Sequence, residues 1–91
     1  MALDIQITGL NTTSELDKYI RSKLRPISRR IKNGVCMVEL GHGNSCKITL
    51  KTIQKTYIAE EVTEHIYASV DVAVADIRCQ LPTPPTTWLL P

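Results

Sequence analysis

The first pattern along the chain is a strict alternation. Leu3-Asp4-Ile5-Gln6-Ile7-Thr8 is apolar at every second position, which predicts a strand with one buried face, ended by Gly9. Leu16, Ile20, Leu24, Ile27 and Ile31 then recur at spacings of four and three, the period of a helix buried along one stripe. Thr12, Thr13 and Ser14 offer N-caps for this helix, and Glu15 stands three residues after Thr12 as in a capping box. Pro26 sits inside the pattern. It is expected to end or kink the helix near Lys23 to Arg25, because proline brings no amide to the helical ladder. Asn33-Gly34 marks a turn. Three strands are expected next, at Val35 to Leu40, Cys46 to Ile53 and Tyr57 to Glu60, with a turn at Gly41-His42-Gly43-Asn44 after the first. Thr63 is the expected N-cap of a second helix, whose Ile66, Val70, Val74, Ile77 and Leu81 repeat at helical spacing up to Pro82. The order predicts an α+β fold, β-α-β-β-β-α, with two helices packed on one face of a four-stranded sheet. One domain spans residues 1–81, followed by a Pro/Thr-rich tail at 82–91.

Composition changes this picture little, but charge changes it more. The chain has 91 residues, 43% hydrophobic and 22% charged, ordinary values for one globular domain. Phe is absent, so the core must be aliphatic. No apolar run approaches the ~20 residues of a membrane span, and Met1-Ala2-Leu3-Asp4 lacks the opening of a signal peptide. Three cysteines without framework spacing fit a reducing compartment, so a cytoplasmic location, free thiols and no membrane partner are expected. The net charge is only +2, yet residues 12–33 hold seven of the eleven basic residues against Glu15 and Asp17. From Tyr57 to Leu81 the balance reverses, with five acids against Arg78 alone. A basic element of this kind suits a polyanion.

At about 100° per residue, Lys18, Arg21, Arg25, Arg29 and Lys32 fall within about 80° of one another, opposite the apolar stripe, provided Pro26 does not reset the phase. They form either a solvated charged face or a surface for phosphates. Lys47 and Lys51, on the open face of the sheet, either extend that field or keep the sheet soluble. The second helix carries Ala68, Val72, Ala75 and Cys79 behind its core stripe, a small neutral face. That face is either left exposed or covered by the tail, with Trp88, Leu89 and Leu90, or by another subunit. Cys36, His42 and Cys46 match no standard zinc spacing, and no Gly-rich phosphate loop, nucleophile elbow or carboxylate pair is present. The residues read as a binding protein rather than an enzyme, with no metal and no cofactor.

Several stretches together resemble a known family, the short ribosome hibernation promoting factors and ribosome-associated inhibitors, also labelled sigma-54 modulation proteins. Ile5-Gln6-Ile7-Thr8-Gly9 resembles that family's first strand, and Leu16 to Arg25, with Lys23 and Arg25 at usually basic positions, resembles its first helix. Ile66-Tyr67-Ala68-Ser69-Val70-Asp71, then Ile77 and Gln80-Leu81, resembles its second-helix signature. The likeness covers residues 3 to 81. It implies a fold related to double-stranded-RNA-binding domains and a protein that occupies the mRNA and tRNA channel of the small ribosomal subunit, inhibiting translation under stress or in stationary phase. The partners it implies are the small subunit and its rRNA, and no DNA. The rRNA-contacting residues would be Lys18, Arg21, Lys23, Arg25, Arg29, Lys32, Lys47, Lys51 and Arg78. The chain departs from the family on the second helix, where Asp76 and Cys79 stand at positions usually basic, and in the Pro-Thr sequence that replaces a basic tail. The C-terminal dimerisation domain of the longer members is missing, so ribosome pairing through such a domain is not expected. The alternative is a diverged fold-mate that binds a protein, or a second copy as a homodimer, through Ala68, Val72, Ala75 and Cys79 together with Trp88 and Leu89.

Overall fold

The computed structural model describes residues 3–9, 12–31 and 33–82. The elements follow in the order β1 (Asp4–Gly9), α1 (Ser14–Arg30), β2 (Val35–Gly41), β3 (Ser45–Lys51), β4 (Thr56–Val62) and α2 (Ile66–Gln80). The α+β fold expected from the sequence is the observed one. The strands form one sheet in the order β1-β2-β3-β4, with β1 parallel to β2 and the remaining pairs antiparallel. A parallel pair needs a crossover, and α1 supplies it.

The core lies between one face of the sheet and both helices. Leu16, Ile20, Leu24 and Ile27 of α1 join Val70, Ala73, Val74 and Ile77 of α2 over Cys36, Val38, Leu40, Cys46, Ile48, Leu50, Tyr57 and Ala59 of the sheet. Burying each of the larger aliphatic side chains contributes about 1.5–3 kcal/mol. Those same burials explain why Pro26 does not end α1, one of the two outcomes the sequence allows. The helix runs on to Arg30, with Pro26 inside it and the Ile31 amide donating to the Ile27 carbonyl. Leu24 and Ile27, on either side of the proline, are both sealed in the core, so the helical path is held from below. Pro26 has no amide to offer the Ser22 carbonyl.

Local chemistry differs from expectation at three other points. The cap of α1 is Thr13, whose hydroxyl accepts from the Leu16 amide at 3.1 Å, while the Thr12 hydroxyl donates to the Gly9 carbonyl instead of entering a capping box with Glu15. The residue at the N-cap of α2 is His65, not Thr63. Thr63 is drawn to Ser69, whose fully buried hydroxyl accepts from the Thr63 amide at 3.0 Å, contacts its hydroxyl at 2.9 Å, and donates to the Asn44 carbonyl. One serine thus ties the β2–β3 turn, the end of β4 and the start of α2. Finally, β3 stops at Lys51 rather than Ile53, because Thr52 closes a turn with Lys55 and leaves Ile53 at its tip. At the far side of the sheet, the Gln80 side-chain amide donates to the Ile58 carbonyl at 2.9 Å, fastening the end of α2 to β4.

Candidate nucleic-acid interface

Because α1 is continuous through Pro26, its outer ridge keeps its phase. Lys18, Arg25 and Arg29 are exposed along it, and Arg21 beside them is closed onto Asp17 at 2.6 Å. An exposed pair of this type is worth well under 1 kcal/mol, so Arg21 can exchange its carboxylate for another anion. Lys32, Trp88 and Leu89 lie outside the described residues.

A second stripe on α1 faces α2. Tyr19, Lys23, Pro26 and Arg30 follow at spacings of four, three and four, and Tyr67, Asp71, Ala75 and Arg78 answer them on α2 at four, four and three. At one end the Tyr19 and Tyr67 rings meet at 4.8 Å between centroids, tilted by 59°. In the middle Asp71 accepts from the Tyr19 hydroxyl at 2.5 Å and lies 3.6 Å from the Lys23 ammonium, which also sits 5.5 Å from the Tyr19 ring centre. The bond to Asp71, together with desolvation and the nearby charge, pushes the Tyr19 hydroxyl up to about 12, so it remains a proton donor throughout the physiological range. Beyond Asp71 the helices enclose a concavity of ≈ 470 Å³ lined by Ser22, Lys23, Pro26, Asp71, Val74, Ala75 and Arg78. It is followed by one of ≈ 370 Å³ lined by Arg30, Ala75, Arg78 and Cys79. Arg30 donates to the Pro82 carbonyl, which orients its guanidinium without neutralising it. Among the described residues, Lys18, Arg25, Arg29, Arg30 and Arg78 form no ion pair.

The expected site residues therefore divide between two faces. Lys18, Arg21, Lys23, Arg25, Arg29 and Arg78 share the helical side, while Lys47 and Lys51 point from the opposite face of the sheet. Lys47 there stands in register between Glu39 and Glu60. Of the neutral face on α2, Val72 is exposed and Ala68 half-buried, but Ala75 and Cys79 belong to the groove with Arg30 and Arg78. Sequence reasoning passed over Arg30, Tyr19, Tyr67 and Asp71. The signal for them is a second stripe of helical period beside the core stripe, masked by the attention that Pro26 draws as a breaker.

The thiols separate cleanly. Cys36 and Cys46 are buried, and burial pushes both up to about 11, whereas Cys79 is exposed. Native protein at pH 8 is expected to release one equivalent rapidly with an aromatic disulfide reagent and three in denaturant. Rapid reaction of all three in the native state would contradict the buried pair. Among the described residues no three His, Cys, Asp or Glu side chains converge as metal ligands, and no helix is long and apolar enough to cross a membrane.

The fold matches solved structures. One is the N-terminal domain of Protein Y from Thermus thermophilus, at 24% identity and a TM-score of 0.73, over 88% of this chain and 94% of that one. Another is a ribosomal subunit interface protein from Coxiella burnetii, at 19% identity and a TM-score of 0.71, over 86% and 92% of the two chains. At these identities the likeness shows the fold alone. No curated protein matches the chain. The profile of the family described as Sigma 54 modulation protein / S30EA ribosomal protein matches residues 3–82, nearly the whole chain, in agreement with the resemblance read from its strands and helices. The chain belongs to the Sigma 54 modulation protein / S30EA ribosomal protein family.

Proposed function

We propose that this protein associates with the ribosome, laying the face formed by α1 and α2 on rRNA of the small subunit. There it occupies the mRNA and tRNA channel and inhibits translation under stress or in stationary phase. The observation that carries the reading is the convergence of guanidinium groups from two helices, Arg30 and Arg78, on one groove, with Lys23 beside them and Lys18, Arg25 and Arg29 exposed on the outer ridge of α1. Guanidinium groups without carboxylate partners, spread over a surface rather than gathered on one ligand, suit phosphates of a folded RNA read by shape. The family description and the name of the Coxiella burnetii structure point to the same partner class. The sequence carries none of the usual catalytic motifs, and the family is described as a ribosomal and modulation protein family rather than an enzyme family.

The test is co-sedimentation of the purified chain with ribosomes and with separated small subunits across a salt series. Five or so phosphate contacts predict that log K falls with log salt at a slope of about −4. A translation assay run with the same preparations reads out inhibition. Folded protein left in the supernatant at low salt would overturn the ribosomal reading.

A further inference from the structure

Within the described residues, helices cover one face of the sheet. Among the described residues no element covers the other, whose side chains stand in rows fixed by the strand register. One row is Gln6, Met37, Thr49 and Ile58, and the next is Thr8, Glu39, Lys47 and Glu60. This face is unlike the helical one. It is nearly balanced in charge, Thr49 at its centre is 7% exposed, and Ile58 and Val62 are large apolar residues exposed by 52% and 66%.

We propose that this open face is a self-association surface, on which a second copy of the chain packs sheet against sheet. The charges choose the symmetry. A two-fold axis lying between the sheets and running across the strands would set Lys47 of one copy against Lys51 of the other, like against like. A two-fold axis running along the strands, between β2 and β3, sets β2 over β3 of the second copy in the same row. Glu39 then meets Lys47 of the second copy, and the symmetry repeats the pair. Met37 meets Thr49, and Gln6 meets Ile58. Sheets packed face to face lie about 10 Å apart, within the combined reach of a glutamate and a lysine. Four strands about 4.8 Å apart, β1 six residues long and the others seven, at about 3.3 Å per residue give a projected area of ~430 Å² per chain, or ~860 Å² in all. That is below the ~1,200–2,000 Å² of stable complexes, so the dimer is weak and reversible. Both helical faces remain outside it, so self-association does not compete with the interface on α1 and α2.

The geometry makes a specific demand on two charge reversals. In Glu39→Lys each cross-sheet pair becomes lysine against lysine, and in Lys47→Glu each becomes glutamate against glutamate. Each variant alone is expected to dimerise at least tenfold more weakly than the wild type in sedimentation equilibrium. An equimolar mixture restores both attractive pairs and is expected to give a one-to-one heterodimer as tight as the wild-type dimer. Pairs within one chain cannot produce association that appears only on mixing. Ile58→Asp, removed from the charge pair, is expected to weaken association as well, with circular dichroism confirming that each variant is folded. A wild-type chain that stays monomeric up to millimolar concentration would overturn the proposal. So would a dimer indifferent to all three substitutions, which would place self-association on the helices or the tail.

Discussion

Arg30→Glu combined with Arg78→Glu is expected to lower ribosome affinity by at least about 100-fold near 0.1 M salt, and to make the salt slope shallower by about 1.5 to 2 units. The two guanidinium groups come from different helices and line one concavity, so the double reversal places two repelled carboxylates where two phosphate contacts would form. Arg25→Glu with Arg29→Glu removes the same formal charge from the ridge of α1 and serves as the comparison. Both ridge residues stand on one helix beside the groove, so a smaller loss is expected from that pair. All four side chains are exposed, and reversing them should cost the fold less than about 1 kcal/mol. Equal losses from the two double variants would mean that RNA reads net charge and not the groove. No loss from either would remove the helical face from the mechanism.

Gly9→Ala is expected to have the largest effect on stability of any glycine-to-alanine change in this chain. Gly9 has φ +131°, a conformation that side chains of L-residues rarely adopt, and it lies in register with Leu40 of β2. A Cβ at Gly9 would fall 2.1 Å from the Leu40 carbonyl oxygen and 2.8 Å from its amide nitrogen. Leu40 cannot yield easily, since its own side chain is buried and its backbone is paired on the far side with Cys46. Backbone strain and the displaced end of β1 together should cost about 4 kcal/mol or more, a large part of the ~5–15 kcal/mol that holds a domain folded. Urea unfolding of wild type and variant measures the difference. A midpoint that corresponds to a loss below about 1 kcal/mol would show that β1 can leave the sheet edge at little cost.

The strands and the core of this fold were legible because they rest on simple periods. Leu3, Ile5 and Ile7 alternate, and Leu16, Ile20, Leu24 and Ile27 recur at helical spacing, and each set lies where its period places it. The continuation of α1 past Pro26 was not legible, because local propensity does not contain the burial of Leu24 and Ile27 on either side of it. Ser69 was illegible for a related reason. Nothing within α2 asks for a buried serine, and its partners Thr63 and Asn44 are brought to it only by the β2–β3 turn and the end of β4. The basic ridge of α1 was readable from one helix alone. The groove was not, because it needs the relative placement of two helices: Asp71 pairs with Tyr19 across 52 residues of sequence. Lys47 was read by its position on a strand, but its environment is set by Glu39 and Glu60 on the neighbours, which only the register reveals.

The bond from Gln80 to Ile58 bears on what can join this sheet from the side. An outermost strand presents unsatisfied carbonyls and amides, and these are the template on which a foreign strand is added and on which aggregation propagates. Gln80 occupies the Ile58 carbonyl on the outer rim of β4, and Asp76, 3.3 Å from the same side-chain amide, steadies it there. A strand arriving at β4 must first displace that amide and loosen the end of α2. Lateral growth into a continuous ribbon is thereby obstructed at β4, and copies of this chain that meet through their open faces form a closed pair rather than a filament.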